Sequence, residues 1–583
     1  MSYSKQNFTP GSVLYASQLN AMDNQIASNE AAINSIQIGV TPEMYGAYGD
    51  GVHDDAPALK AALESGKPVK MTQDLYLFSP IEINDHNVRW DGDGYTVHID
   101  GEDAPGYGNQ LRFIMIRSVY HDGIAEDADV VIYTENSTAV LNPGFPNESE
   151  YRRGYLSYHG FNPTPDKEEY ADYSAHSWYE HRADIRNINF IGKNTEAMDM
   201  LAIWNMCNSN IDNCYFTVEE GHDAARGFSV NNGYNIKITR CRADGINARR
   251  LREKTSAGYG FSVSGDAITV DNCTLKNSKC GVVPGGGGEY MSTGIIISHL
   301  TVQVKDTGEL ANTGARVYQQ CLDIHEGCIR PLITDCYLEY ENATPYNPET
   351  GDGDLVGAII HVSCPESTLV NIQAQYKTLS GWNSGYIGFG PLVKKCNLIN
   401  VYAKRCRLYG HGWGFERGNA YDANYIREIN VLGGEFSGIR LGEGLVKFRL
   451  SGCKVTGKIE ATNTIYAENC VFRPEDRIEG SPTIIITGEG FFNHCDISSS
   501  LYKNLETGTI YAKSIPVIKA PENTIHLTGC IIRKPTDRVT FKTTQTDLVN
   551  NATYDLYGLV LGSEMPNGYV DGDECALDAY DLW

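Results

Sequence analysis

The residues best suited to chemistry gather in one short passage, CLDIHEG, which carries Asp323, His325 and Glu326. Aspartate, glutamate and histidine are the side chains that most readily give and take protons in a reaction. Related groups fall at matching points of neighbouring segments: Asp266, Glu289 in the Gly-rich PGGGGEY, His361 in IIHV, and Glu416 with Arg417 in GFERG. Hydrolysis of a glycosidic bond needs one carboxyl as acid and one as base or nucleophile. The two lie about 5–5.5 Å apart in retaining enzymes and about 6.5–9.5 Å apart in inverting ones. Asp323 with Glu289 or Asp266 is one such pair, and Glu326 is a local alternative. Elimination would use a base such as His361, with a cation such as Arg417 stabilising the carboxylate-bearing carbon. His325, Glu416, Arg417, Trp178 and Tyr179 are the candidate substrate contacts. The competing reading is a solvated acidic face, common on any soluble protein.

These groups need a scaffold that brings distant segments into line, and the chain has an internal repeat. NIDNCYF (210–216), NIKITRCRA (235–243), AITVDNCTL (267–275), PLITDCYL (331–338), KFRLSGCKV (447–455), IYAENCVF (465–472), FNHCDI (492–497) and IHLTGCII (525–532) are short alternating strands. Each has a polar kink before a cysteine, aligning Cys214, Cys241, Cys273, Cys336, Cys453, Cys470, Cys495 and Cys530. IIISHLTV (295–302), TLVNIQAQ (368–375) and CNLINVYA (396–403) fit without it. Steps of 27 and 32 residues from Cys214 to Cys241 to Cys273 suit a coil of three short strands. Stacked coils set equivalent residues about 4.8 Å apart. The cysteines are therefore read as interior filler, with no C-x-x-C spacing to suggest metal or redox work. From about 434 to 470 the steps shorten, and the architecture is expected to narrow.

A second strand precedes many of these segments: GFSV (227–230), GFSV (260–263), CLDI (321–324), IIHV (359–362), YIGF (386–389) and WGF (413–415). If Phe261, Leu322 and Ile360 point inward, alternation turns Ser229, Ser262, Asp323 and His361 outward in one column. One or two coil steps then cover both carboxyl separations above.

Near the N-terminus, MYGAYGDGVHDDAPALKAALESGKPVKMTQDLYLFSPIEI resembles the opening of the pectate-lyase-like β-helix superfamily. The match lies in Gly49, Asp50, Gly51, Asp54 and Asp55, followed by a short helix around Pro57–Leu63. Asp54 or Asp55 can cap that helix, and proline is tolerated in its first turn. Ala58, Leu59, Ala62 and Leu63 give it an apolar face to close the open end of a solenoid. The resemblance implies fold and carries no catalytic residue. Residues 8–38 resemble the N-terminal segment of tail-fibre and tailspike proteins from phages of Gram-positive bacteria. There Leu19, Met22, Ile26, Asn29, Ile33 and Ile36 keep heptad spacing, with Asn29 as a register-fixing polar position. An amphipathic helix packed on the body is the other reading. The heptads speak for self-association, and the tailspike resemblance implies a homotrimer.

The expected fold is thus all-β: a right-handed parallel β-helix with a short N-terminal coiled coil and a capping helix. Residues 1–40 are read as an attachment segment, 41–100 as the cap and first coils, and 186–535 as the β-helix. Residues 101–185 form an aromatic-rich insertion holding Phe145, Tyr151, Tyr155, Tyr158, Phe161, Tyr170, Tyr173, Trp178 and Tyr179. Such a stretch suits sugar stacking or a small aromatic subcore. Residues 536–583 are an acidic C-terminal segment. Asn567, Gly568, Asp571 and Glu574 match part of a calcium loop, but Ser563 and Met565 stand where acidic ligands belong. No metal or other cofactor is otherwise expected.

Charge and composition narrow the partners. With 48 basic against 73 acidic residues the net charge is −25, which argues against nucleic acid. No Walker, G-x-S-x-G, H-E-x-x-H or dinucleotide motif is found. The N-terminus lacks an apolar signal core and no window suits a membrane span, so folding in a reducing cytoplasm is expected. Together with the resemblances this implies a virion protein, assembled in the host cytoplasm on phage baseplate or tail proteins. It would bind a bacterial surface polysaccharide and depolymerise it. A non-enzymatic receptor-binding spike remains open, and a secreted polysaccharide enzyme is disfavoured by the missing signal.

Overall fold

The structure is a computed structural model. It describes residues 39–101, 111–118, 181–246, 258–285, 292–306, 320–325, 328–342, 358–364, 366–378, 385–390, 393–410, 427–441, 446–461, 464–473, 484–486 and 489–498, with shorter stretches at 502–503, 510–511, 518–519, 524–533 and 553–555. The heptads of residues 8–38, the aromatics of 145–179 and the calcium-like loop lie outside the described residues.

Alternating apolar residues make the coils. One coil runs Ala183–Arg186, Asn189–Lys193 and Thr195–Trp204; the next runs Asn210–Asp212, Tyr215–Val218 and Ala224–Tyr234. Each strand pairs in parallel with its counterpart one coil on, as in Asp184 with Asn210, Asn189 with Tyr215 and Leu201 with Phe228. Repetition of this pattern joins the strands into a 41-stranded assembly with parallel pairings. The chain is thus a parallel β-helix with three long faces, called here the first, second and third sheets in order along a coil. Right-handed connection is the general rule for parallel crossovers. The strand Leu111–Arg117 pairs with Ile81–Asn84 and with Thr195–Trp204. The third sheet therefore already runs inside the range read as an insertion. At the other end, Thr553–Asp555 pairs with Thr524–His526, so the first sheet extends past residue 535.

The polar kink before each cysteine is a backbone corner between first and second sheets. Asn213, Arg240, Asn272, Asp335, Asn469 and His494 all have φ between 50° and 56°, a left-handed conformation that Asn and Asp tolerate best. Asn187, Asn371 and Asn400 repeat it where no cysteine follows. Side chains at these corners bond along the axis: Asn213 donates to Asn187 at 2.9 Å, Asn371 to Asp335 at 3.0 Å and Asn400 to Asn371 at 3.2 Å. The cysteines do more than fill space. Their thiols reach the carbonyl two residues back, at 3.3 Å from Cys241 to Thr239 and 3.2 Å from Cys336 to Thr334. Each of these oxygens also accepts the amide of the corner residue one coil back, Asn213 on Thr239 at 2.9 Å and His299 on Thr334 at 3.3 Å, so the thiol is a second, weaker donor to it. All fifteen described cysteines are buried and unpaired by disulfides. Burial pushes the Cys336 thiol up to about 12, which keeps it inert.

The helix Ala56–Glu64 buries Ala56, Ala58, Leu59, Ala62 and Leu63 against the core. The two aspartates before it staple rather than simply cap. Asp55 makes no side-chain cap bond; its buried carboxylate accepts the amides of Tyr48 at 2.6 Å, Gly49 at 3.2 Å and Tyr76 at 2.9 Å. Asp54 accepts Ala56 N at 3.1 Å, Phe78 N at 2.9 Å and the Ser79 hydroxyl at 2.5 Å. The motif therefore ties the entry loop and helix to the first strands. Further along, stacked Phe190, Phe216 and Phe228 and the pair Tyr340 and Tyr376 run up the interior.

Candidate functional site

The third sheet bends because two consecutive residues of each strand face inward. Gly227 and Phe228, Gly260 and Phe261, and Gly281 and Val282 are three such pairs. An added Cβ at Gly260 would meet Leu275 Cδ2 at 2.3 Å, and at Gly281 Val302 Cγ1 at 2.7 Å, so only glycine lets the strand come this close. The residues on either side of each pair point outward in two columns. One holds Asp199, Arg226, Tyr259, Cys280 and Gln320. The other holds Ala202, Ser229, Ser262 and Val283. Pairing of Val282 with Leu322 carries it on to Asp323, then His361 and Gly388.

The expected alignment of Ser229, Ser262, Asp323 and His361 is therefore present, but outward does not mean solvated. Ser229 and Ser262 are 1% exposed and Asp323 is 8% exposed. Asp323 Oδ1 lies 3.0 Å from His361 Nδ1, and its Oδ2 lies 3.1 Å from His325 Nε2. Burial alone would raise this carboxyl, but the charge and hydrogen bonds of His325 and then His361 overcome that and hold it well below the usual carboxylate range. An ionised carboxylate only accepts, so both imidazoles donate to it. When its ring is neutral, His361 carries its proton on Nδ1 and Nε2 is the nitrogen without one. The Ser363 hydroxyl sits 3.4 Å from that nitrogen. Gly388, next in the column, has no side chain to cover the ring, and Tyr386 and Tyr409 stand beyond it in edge contact at 5.4 Å.

Asp266 is not part of this group. It lies four residues along its strand from Ser262, roughly 13 Å at strand rise, and its Oδ1 accepts the Thr293 amide and hydroxyl, both at 2.7 Å. Glu289, Glu326, Glu416, Arg417, Trp178 and Tyr179 lie outside the described residues. The structure thus brings together Asp323, His325 and His361 and sets Asp266 apart, as a turn carboxylate.

A second buried polar group on the same face was missed from sequence. Asp199, 0% exposed, takes Arg226 Nη1 at 3.1 and 3.2 Å on its two oxygens and the Ser229 hydroxyl at 2.8 Å. The guanidinium also lies over the Tyr259 ring at 5.5 Å. The signal was available: the residue before each inward Gly-Phe pair also faces outward, and in AARGFSV that residue is Arg226. Ser363 follows from the same rule, two positions after His361. Among the described residues no group of histidine, cysteine and carboxylate side chains could hold a metal ion, and no helix is long and apolar enough to cross a membrane.

No protein-family model and no curated protein matches this chain. Among solved structures, it is similar to the tailspike of Pseudomonas phage LKA1, at 14% identity with TM-score 0.46 over 85% of each chain. The tailspike of Pseudomonas phage phi297 gives 12% identity and TM-score 0.43 over 78% of this chain and 80% of the other. A Family 28 exopolygalacturonase of Yersinia enterocolitica gives 9% identity and TM-score 0.29 over 78% and 77%. The fold assignment rests on the strand register itself.

Proposed function

We propose that this chain is a bacteriophage tailspike that binds a bacterial surface polysaccharide on the third-sheet face and cleaves it, with His361 as general base and Asp323 as the group that orients and charges it. The observation that carries the reading is the covered, ionised Asp323 held between two imidazoles. A carboxylate out of water is costly unless fully bonded, and the coil needs none at this outward position, where Ser262 and Val283 serve in earlier coils. Strongly perturbed titratable groups gather at functional sites.

The chemistry follows from the proton positions. Asp323 titrates too low to deliver a proton, so it is not the acid of a hydrolytic pair. It fixes the His361 tautomer, and Nε2 takes a proton either from water attacking the anomeric carbon or from the sugar carbon beside a carboxylate. In both courses the glycosidic C–O bond breaks and the leaving oxygen takes a proton from solvent water; the first course is hydrolysis and the second elimination, and their products differ. Assembly as a homotrimer in the virion rests on the heptads of residues 19–36 and on the tail-fibre resemblance of residues 8–38.

The test is incubation of the purified full-length chain with capsular and wall polysaccharides, scoring new reducing ends and ultraviolet-absorbing unsaturated sugars. Asp323→Asn should cut the rate by about 10²- to 10⁴-fold, the usual worth of a positioned acid–base group. Retained activity in that variant would remove this site. Binding without product from any glycan would leave a receptor-binding spike with no turnover.

A further inference from the structure

On the C-terminal coils the first sheet carries a different outward surface. Strands Arg427–Leu441, Val446–Ser451, Thr464–Glu468 and Gly490–Asn493 align two outward columns, Asn430, Arg449, Tyr466 and Phe491 in one and Leu432, Ser451, Glu468 and Asn493 in the other. Val431, Leu450 and Ala467 between them turn into the core. The floor between the columns is therefore backbone, and the result is a groove of about 420 Å³ running along the solenoid axis.

One wall is a stack of rings. Tyr466 and Phe491 lie 4.9 Å apart and nearly parallel, and Phe491 and His526 lie 4.5 Å apart. Ring faces are spent on each other, so the wall offers edges, the partly positive rim of each ring. Arg449 extends it, paired with Glu428 at 3.1 Å and 5.9 Å from the Tyr466 ring. The other wall is polar: the Ser451 hydroxyl, Glu468 carboxylate and Asn493 amide have no hydrogen-bond partner among the described residues. Leu432 at its end is 55% exposed.

Three properties select the occupant. At two successive coil steps, about 4.8 Å apart, a hydrogen-bonding group stands opposite a ring edge, Glu468 across from Tyr466 and Asn493 across from Phe491, which suits a chain of units that have both hydroxyls and C–H faces. Arg449 and Glu468 stand at the centre, where a protein–protein interface core is depleted of charge, so a second copy of this chain fits poorly. Arg449, the only Lys or Arg lining the groove among the described residues, is already paired and the chain is strongly acidic, so a polyanion is disfavoured. We infer that this groove is a second glycan-binding site, on a different face from Asp323, that takes a neutral stretch of polysaccharide without cleaving it. Its size falls in the range of ligand clefts, about 300–1,000 Å³.

The site does not depend on the cleavage reading and can be tested apart from it. The Asp323→Asn chain is applied to a microarray of neutral and acidic bacterial capsular and wall oligosaccharides, alone and with Tyr466→Ala or Glu468→Gln added. The expected result is binding to neutral spots that falls at least about tenfold in both double variants, with sedimentation mass unchanged. Glu468→Gln keeps the side-chain shape at an exposed position, so its loss of binding cannot be put down to unfolding. Neutral-spot binding equal to that of the Asp323→Asn parent in both, or no binding to any neutral spot, would overturn the inference. So would a change in sedimentation mass, which would make the groove an interface between copies. Failure of Asp323→Asn to stop cleavage would leave these outcomes readable.

Discussion

On the third sheet, polar groups lie under cover with their oxygens taken: Asp323 by two imidazoles, Asp199 by Arg226 and Ser229. On the C-terminal part of the first sheet, Ser451, Glu468 and Asn493 stand in the open beside stacked rings. Both surfaces come from coils stacked at the same spacing, although the third sheet interrupts its alternation with a double inward pair. The difference is burial, and burial decides what a charge can do. A covered carboxylate is held in one geometry and one protonation state, which suits orienting a neighbouring base rather than moving a proton itself. An exposed one is solvated and exchanges partners, which suits reversible contact with a hydroxyl-rich chain. The comparison predicts that substitutions in the covered region act on stability and turnover, and those in the groove on binding alone.

The largest effect on stability is expected at Asp199. Removing one partner of a buried pair leaves the other charge without compensation and typically costs about 3–5 kcal/mol. Asp199→Ala should therefore lower the denaturant midpoint sharply, while Glu468→Ala should move stability by no more than about 0.5 kcal/mol. Equal midpoints for the two variants, by chemical denaturation followed by circular dichroism, would break the distinction between the regions.

A smaller loss is expected at the bend that positions the site. Gly260→Ala would drive a methyl group against Leu275 and the Gly281 carbonyl, and overpacking of this kind costs about 1–3 kcal/mol. The bend sets Tyr259 and Ser262 on either side of the inward pair, so the same variant should also reduce turnover. A Gly260→Ala chain with unchanged stability and turnover would show that the close approach is not required.

Much of this scaffold was legible because period-two alternation and the inward aromatics fix which residues face out. The column from Ser229 to His361 follows from that alone, and so do the corner cysteines. The partner of Arg226 was harder. Asp199 stands 27 residues earlier, and coil lengths vary, so sequence distance does not give the register. The double inward turn at Gly227 and Phe228 also breaks simple alternation. Cover over Asp323 is a tertiary fact that alternation cannot report. The staples of Asp55 to Tyr48, Gly49 and Tyr76 were hidden because a local helix cap explained the same residues. The ring stack lay in segments already aligned by their cysteines, IYAENCVF, FNHCDI and IHLTGCII. The stack is made by their outward residues, Tyr466, Phe491 and His526, whereas the cysteines mark only the inward ones.

The smallest and sharpest contrast lies in pH. Asp323 in the folded chain titrates well below the value of about 3.9 it has when unfolded. Between those two values the unfolded chain holds the extra proton, so stability there falls as pH falls. Above about pH 4 both states are ionised at this group, and its contribution is constant and complete. The stability gap between the parent chain and Asp323→Asn, followed from neutral pH into acid, should therefore stay level as far as this carboxyl is concerned and close only below about pH 4. The gap between the parent and Glu468→Gln should stay near zero throughout, since an exposed charge adds little. A gap at Asp323 that closed well above pH 4 would mean that the carboxylate is not held between its two imidazoles, and the covered region would lose the feature that sets it apart from the groove.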